Sequence, residues 1–196
     1  IIEERVSELR GLGTLNPVTK AFLTPEELRQ HLEEEIDYTE QEAHDDVLLY
    51  AAFDLMARDV DLYNLLIDLE TEQVAGFYDP ETEEMYVVKS SEVFGALERS
   101  TFSHEYTHVL QDQHFDLEAL GFTDEASEAD SDSEQDFAVR CLVEGDASLL
   151  QQQYMLQYFE MEELQELLDQ VQATDSSVLD SAPAVIRESL FFPYEA

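Results

Sequence analysis

A chain whose 47 Asp and Glu outnumber its 9 Lys and Arg can fold only if nearly all of its carboxylates stay in water. The formal net charge is −38 over 196 residues, and the acids are scattered rather than gathered in one tail. Yet 44% of the residues are hydrophobic, too many for a disordered acidic segment and enough for a buried core. The charge argues against nucleic acid and anionic membranes as partners, because both reward basic surfaces. No apolar run approaches the roughly 18–20 residues of a membrane span. The single cysteine, Cys141, excludes an internal disulfide framework.

Lysine is nearly absent: Lys20 and Lys89 are the only two. A surface of one sign repels itself in dilute salt, and molar salt removes that penalty by shrinking the Debye length to about 3 Å. The composition resembles that of proteins from salt-loving organisms. The plainer alternative is an ordinary acidic protein with one acidic binding face. The chain begins at Ile1 without a basic-then-apolar leader and stops just after the apolar run Leu190-Phe191-Phe192-Pro193-Tyr194. A fragment of a longer protein is expected, which leaves the parent's location open, an extracytoplasmic one included.

Hydrophobic spacing divides the chain into helices and one small sheet. Thr24-Pro25-Glu26-Glu27-Leu28 combines an N-cap, a first-turn proline and first-turn acids, so a helix is expected to run to about Glu35. Further helices are expected over about Thr39–Met56 and Asp61–Thr71. Gln73–Tyr78 and Glu84–Val88 read as strands joined by the turn Asp79-Pro80-Glu81-Thr82, the only β signal found. Helix returns over Leu97–Phe115 and Phe137–Phe159, the latter with Ala138, Cys141, Leu142, Leu149, Leu150 and Tyr154 expected inward. Met161–Val171 and Ala182–Leu190 are shorter helices, and Gly121–Asp136 is an acidic, solvated connector. The fold class is α+β, mostly helical, with one hairpin before the helix at 97–115. Residues 1–72 form an N-terminal helical region and 73–196 a core, expected to make one compact unit.

His104-Glu105-Tyr106-Thr107-His108 is HExxH. Two histidines four apart sit about 40° around a helix, one turn apart, where both rings can grip one tetrahedral Zn²⁺. Glu105, about 100° round from His104, lies near the metal without ligating it, where a carboxylate can take a proton from water. A catalytic zinc needs a third protein ligand, and two are available. His114 completes a spacing like that of metzincins, but Gln111 stands where those have a helix-breaking Gly, so His114 is expected to point away. Glu144 lies in the otherwise apolar segment Cys141-Leu142-Val143-Glu144-Gly145-Asp146-Ala147, where a carboxylate is unfavourable unless something pairs with it. It is the favoured third ligand. Gly145 weakens that helix, and close approach of a second helix or the metal is the expected reason.

These residues resemble the gluzincin branch of zinc metallopeptidases, in which an HExxH helix is joined by a second helix carrying a glutamate ligand. The matching segments are Gly76-Phe77-Tyr78-Asp79-Pro80 with Tyr86-Val87-Val88, then His104–Asp116, then Leu142–Ala147. The resemblance implies a zincin-like core with His104, His108 and Glu144 on Zn²⁺ and Glu105 as general base. It implies a peptide or protein substrate, held as an extended strand against the free edge of the strand at about Met85–Val88. Thermolysin-like members carry an Asp four residues after the ligand Glu; here that position is Ser148, and Asp112 or Asp146 is left to support the ligands. Tyr78, Tyr154 and Tyr158 are candidates for stabilising the oxyanion. The alternatives are a catalytically inactive zinc-binding interaction module and a metal-free acidic interaction protein.

Dialysis into low salt is expected to unfold the chain, and zinc alone is not expected to refold it. Circular dichroism followed against salt concentration checks this; full folding without salt would give the charge some other purpose.

Overall fold

The computed structural model describes residues 1–36, 38–89, 93–122, 133–173 and 176–195; at 35, 133, 136 and 191–195 it describes the backbone alone. Residues 123–132 of the expected acidic connector, and the side chains of Phe191, Phe192, Pro193 and Tyr194, lie outside that description.

The architecture is α+β and mostly helical, as expected. It begins with two elements that the sequence pattern did not announce, helix α1 (Ile2–Arg10) and strand β1 (Thr19–Leu23). Helices α2 (Pro25–Glu35), α3 (Glu40–Ala52) and α4 (Leu62–Gln73) follow. The first two open on full capping boxes: Thr24 with Glu27, and Thr39 with Glu42. Helix α3 ends short of the expected Met56, because Asp54 takes a left-handed conformation (φ 63°) just past its C-cap Phe53.

Strands β2 (Gly76–Asp79) and β3 (Glu84–Val88) form the expected hairpin, with Gly76 opposite Val87 and Asp79 opposite Glu84. The sheet nevertheless has three strands, in the order β1-β3-β2. β1 runs parallel to β3, with Thr19 opposite Glu84 and Leu23 opposite Val88. β3 is therefore the central strand, bonded on both sides. The free edge expected at Met85–Val88 is not there; among the described residues, the open edges belong to β1 and β2. β1 escaped notice because it is short and mostly exposed, without the alternation that marks a half-buried strand.

Helix α5 (Ala96–Phe115) lies across the sheet and contacts β2, β3, α1 and two later helices, α7 (Ser133–Tyr158) and α8 (Met161–Ala173). Met85, Val87 and Tyr78 from the sheet meet Phe102, Tyr106, Val109 and Leu110 of α5, with Leu150 and Tyr154 of α7 (Ser133–Tyr158) completing the cluster. A short turn, α6 (Leu117–Leu120), links the two helices' neighbourhoods, and α8 (Met161–Ala173), α9 (Ser177–Ser181) and α10 (Ala184–Glu195) finish the chain. A second cluster joins α3 and α4 to the C-terminal part through Val47, Leu62, Leu69, Ala182 and Ile186. Helix α1 packs on α5 and α7, so the first residues of the chain belong beside the core helices.

The buried face of α7 is Val143, Glu144, Ala147, Leu150 and Tyr154. Leu150 and Tyr154 were expected inward. Leu142 and Leu149 were too, yet they are 72% and 54% exposed, and Ala138 is also exposed. Apolar residues occur on both sides of this helix, so periodicity alone could not choose the inward one.

Two glycines have opposite meanings. A Cβ on Gly76 would meet Thr101 Cγ2 at 2.7 Å, the Tyr86 carbonyl at 2.8 Å and Glu105 Cγ at 3.1 Å. Strand β2 can approach α5 only because that side chain is missing. A Cβ on Gly145 would meet nothing within 4 Å, which overturns the expectation that Gly145 permits a close approach. Gly76→Ala is therefore expected to destabilise the fold by about 1–3 kcal/mol through overpacking. Gly145→Ala is expected to stabilise it by up to about 1 kcal/mol. Denaturant unfolding of the two variants checks the opposite signs.

Candidate metal centre

The HExxH helix is anchored at both ends. At its start, the Gly95 N–H donates to the Glu98 carboxylate at 2.8 Å. At its end, Asp112 accepts from the Leu117 N–H at 2.9 Å and Asp116 takes a left-handed conformation (φ 56°). Between them every residue from Ser100 to Gln111 is buried. Two hydroxyls inside that run are satisfied locally: Ser103 donates to the Ser100 carbonyl and Thr107 to the Ser103 carbonyl. Such a helix has no solvent face to which its histidines can turn, so they need partners inside the protein.

Glu144 of α7 supplies one. Its Oε2 lies 3.1 Å from His104 Nε2 and 3.5 Å from His108 Nε2. The three groups are buried, and one ligand atom from each falls within 4.8 Å of the others. The two distances from Glu144 fit a metal. Bonds of about 2.0–2.1 Å in a tetrahedron put neighbouring ligand atoms about 3.3 Å apart, between the two distances observed. Side chains of His104 and Glu144 are each 10% exposed against 4% for His108, so solvent reaches the group from the His104–Glu144 side. The chain thus brings together the three expected ligands in a buried group able to hold a metal ion. It does not bring His114: its Nε2 is bonded to the Gly13 carbonyl at 2.8 Å, at the exposed end of α5.

Gln111 was noted only as the residue that is not glycine, and it holds His108 in place. Its amide nitrogen donates both hydrogens, to the Val143 carbonyl at 3.0 Å and to Asp146 Oδ2 at 2.8 Å. Both partners can only accept, which sets the orientation of the amide and leaves its oxygen 2.8 Å from His108 Nδ1. Nδ1 must then carry the proton, and in the neutral ring the Nε2 lone pair faces Glu144. Asp146 in turn accepts from Arg10 Nε of α1 at 2.9 Å. Asp146, one of the two acids expected to support the ligands, therefore acts through Gln111. Asp112 instead accepts from the Tyr78 hydroxyl at 2.7 Å and from Leu117. Phe122 stacks on His108 at 5.7 Å between centroids and is buried with Leu117 and Val143, although it lies in the segment expected to be solvated.

The three candidate tyrosines differ in their surroundings. Burial and the Asp112 carboxylate push the Tyr78 hydroxyl's pKa well up, so Tyr78 keeps its proton and donates it in a hydrogen bond to Asp112. Tyr154 is buried in the core and its hydroxyl has no hydrogen-bond partner among the described residues, and the Tyr158 ring lies under the Arg5 guanidinium.

Electrostatics couple the group. Burial opposes a charge on His108, but the hydrogen bond and charge of Glu144, aided by Glu105 and Gln111, raise its pKa to about 9. Burial raises Glu144 as well; the two histidines outweigh it and hold the carboxylate below its ordinary range. The His108 pKa is thus raised on folding. Its pairing stabilises the metal-free fold fully below about pH 6.5 and is lost as pH rises through about 9. A metal needs the neutral ring and displaces that proton.

No family model matches this chain, and neither does any curated protein or solved structure compared with it. The site rests on its own geometry.

Apparent zinc affinity is expected to rise about tenfold per pH unit from about pH 6 to about pH 9 as the His108 proton is displaced. Gln111→Leu is expected to weaken binding by about 10–100-fold at every pH in that range. Competition with a chelator, run on both proteins across the range, measures both effects.

Proposed function

We propose that the chain is a zinc-dependent metallopeptidase of gluzincin type. The observation that carries this reading is the buried His104–His108–Glu144 group, with Glu144 Oε2 3.1 and 3.5 Å from the two ring nitrogens and buried Glu105 next to His104 on the same helix. Three protein ligands leave a fourth position open, the arrangement of catalytic rather than structural zinc sites. When bound, zinc supplies a Lewis acid that acidifies water and polarises a carbonyl.

The remaining work falls to the chain. Glu105 takes the proton from the attacking water and delivers it to the leaving amine nitrogen as the C–N bond breaks. Gly76 keeps β2 close against Glu105, so the outer edge of β2, rather than β3, is the edge beside the general base. An extended peptide paired there would be held through its backbone, with little demand on side-chain identity. The field of a −38 chain disfavours acidic peptides.

A second reading keeps the zinc and drops the turnover, making the chain a zinc-binding interaction module. It is favoured by the commitment of Tyr78 to Asp112, which removes one candidate for the oxyanion. Glu105→Gln separates the two. It is expected to bind zinc as wild type does and to lose peptide hydrolysis by at least about 10²-fold. Equal cleavage by wild type and variant would remove Glu105 from the mechanism; no cleavage by either, with stoichiometric zinc, would favour the module.

A further inference from the structure

Strand β2 has a fixed hydrogen-bond phase. The Val88 N–H donates to the Ala75 carbonyl at 2.8 Å, and Gly76 stands opposite Val87. Bonded and unbonded pairs alternate along an antiparallel ladder. Phe77 and Asp79 are therefore the residues bonded to β3, and Gly76 and Tyr78 turn their N–H and C=O groups to the open edge. The order of residues round α5, at about 100° per residue, sets that edge against the metal group. Phe102, Tyr106 and Val109 share a core cluster with Met85 and Val87 of β3. Thr101 and Glu105, which a Cβ at Gly76 would touch, come next around the helix, and His104 and His108 follow them. The face of the sheet away from α5 carries an aromatic stack. Phe77 lies over Tyr86 of β3 at 4.6 Å between centroids, with 20° between the planes. His31 of α2 packs on both rings, at 5.2 and 5.4 Å. The three separations make an almost equilateral triangle, so Tyr86 and His31 lie on the same side of the Phe77 ring. Neither covers its far side, which turns away from β3 toward the open edge, and Phe77 is only half-buried.

We propose that Phe77 sets the specificity of the β2 edge by stacking on an aromatic side chain of the bound peptide. This rests on the reading of that edge as the substrate's strand partner. A peptide bonded to Gly76 and Tyr78 places one residue opposite Phe77 in an unbonded pair, where side chains stand closest. Its side chain points to the face that carries Phe77 and meets the far side of the ring. That residue neighbours the one beside Glu105, so it falls within about two residues of the bond that is cut. An aromatic side chain is selected over a cationic one. The carboxylates that flank the stack on this face are engaged already: Glu84 accepts from the Tyr86 hydroxyl, and Asp79 from the Thr82 hydroxyl and the Glu81 and Thr82 N–H groups. Molar salt screens the attraction that the net charge supplies and leaves ring stacking intact.

The test uses the full chain with zinc in molar KCl and uncharged peptides in which one Phe or one Leu is walked along a common sequence. Cleavage is read as kcat/KM by mass spectrometry, and binding to the Glu105→Gln protein by titration calorimetry. At one position, within about two residues of the cut, Phe is expected to be preferred over Leu by at least about fivefold in both readings. Phe77→Leu, which keeps apolar bulk and removes the ring, is expected to bring that ratio to about one with an unchanged circular dichroism spectrum. Phe22→Leu, at an exposed ring on β1, is expected to keep the ratio. Equal handling of Phe and Leu at every position would overturn the proposal, as would a preference that survives in Phe77→Leu. Preferential binding without cleavage of any peptide would sustain the aromatic contact and remove the peptidase reading; neither binding nor cleavage would overturn both.

Discussion

The burial of α5 on all sides is the condition to which the rest of the structure answers. A helix at the centre of a fold is ordinarily apolar all round. This one carries two histidines, two glutamates, a glutamine and several hydroxyls into the interior. Each needs a partner there, because an unsatisfied buried polar group costs more than the net gain of a hydrogen bond. Ser103 and Thr107 find theirs one turn back on the same helix, while Ser100 finds its on α7 and Tyr106 its at Thr14. The histidines cannot, and their need is met from α7, by one carboxylate shared between two rings. The group able to hold a metal ion is thus also the polar joint between the two longest described helices.

That joint is tied to the N-terminus. Arg10 of α1 holds Asp146, Asp146 holds Gln111, and Gln111 holds His108. With only nine cationic side chains, the chain places several where elements meet. Arg10 joins α1 to α7, Lys20 joins β1 to α1, Arg29 joins α2 to α4 and Arg99 joins α5 to α8. Partly exposed pairs of this kind contribute about 0–1 kcal/mol each and fade in salt. They orient elements that apolar packing holds together, which suits a chain whose charge calls for a screened solvent.

Much of the candidate site was legible because helical spacing is a local property. His104 and His108 share a face by virtue of being four apart, and the helix that carries them starts and ends within a residue of the expected limits. Glu144 was legible for a different reason: a carboxylate in an apolar stretch implies a partner wherever the stretch packs. Gln111 carried no such signal, since a glutamine four residues from an outer face looks like a solvated one until Val143 and Asp146 arrive opposite it. Phe122 was misread because acidic neighbours on one side outweighed a single aromatic in the composition of the segment.

The sequence by itself determined the candidate donor set, the order of the hairpin and the longer helices around it, and the sign of the surface. These follow from short-range spacing and from the electrostatics of composition, neither of which needs a partner element. Only the tertiary structure decided the rest: that β1 flanks β3 and leaves β2 as the edge beside Glu105, that α7 buries Val143 and Ala147 and exposes Leu142 and Leu149, and that α1 reaches the metal group through Arg10. Each of these depends on residues tens of positions apart meeting in space. A strand's neighbours and a helix's inward face are chosen by what the whole chain can bury at once, and no local pattern contains that choice.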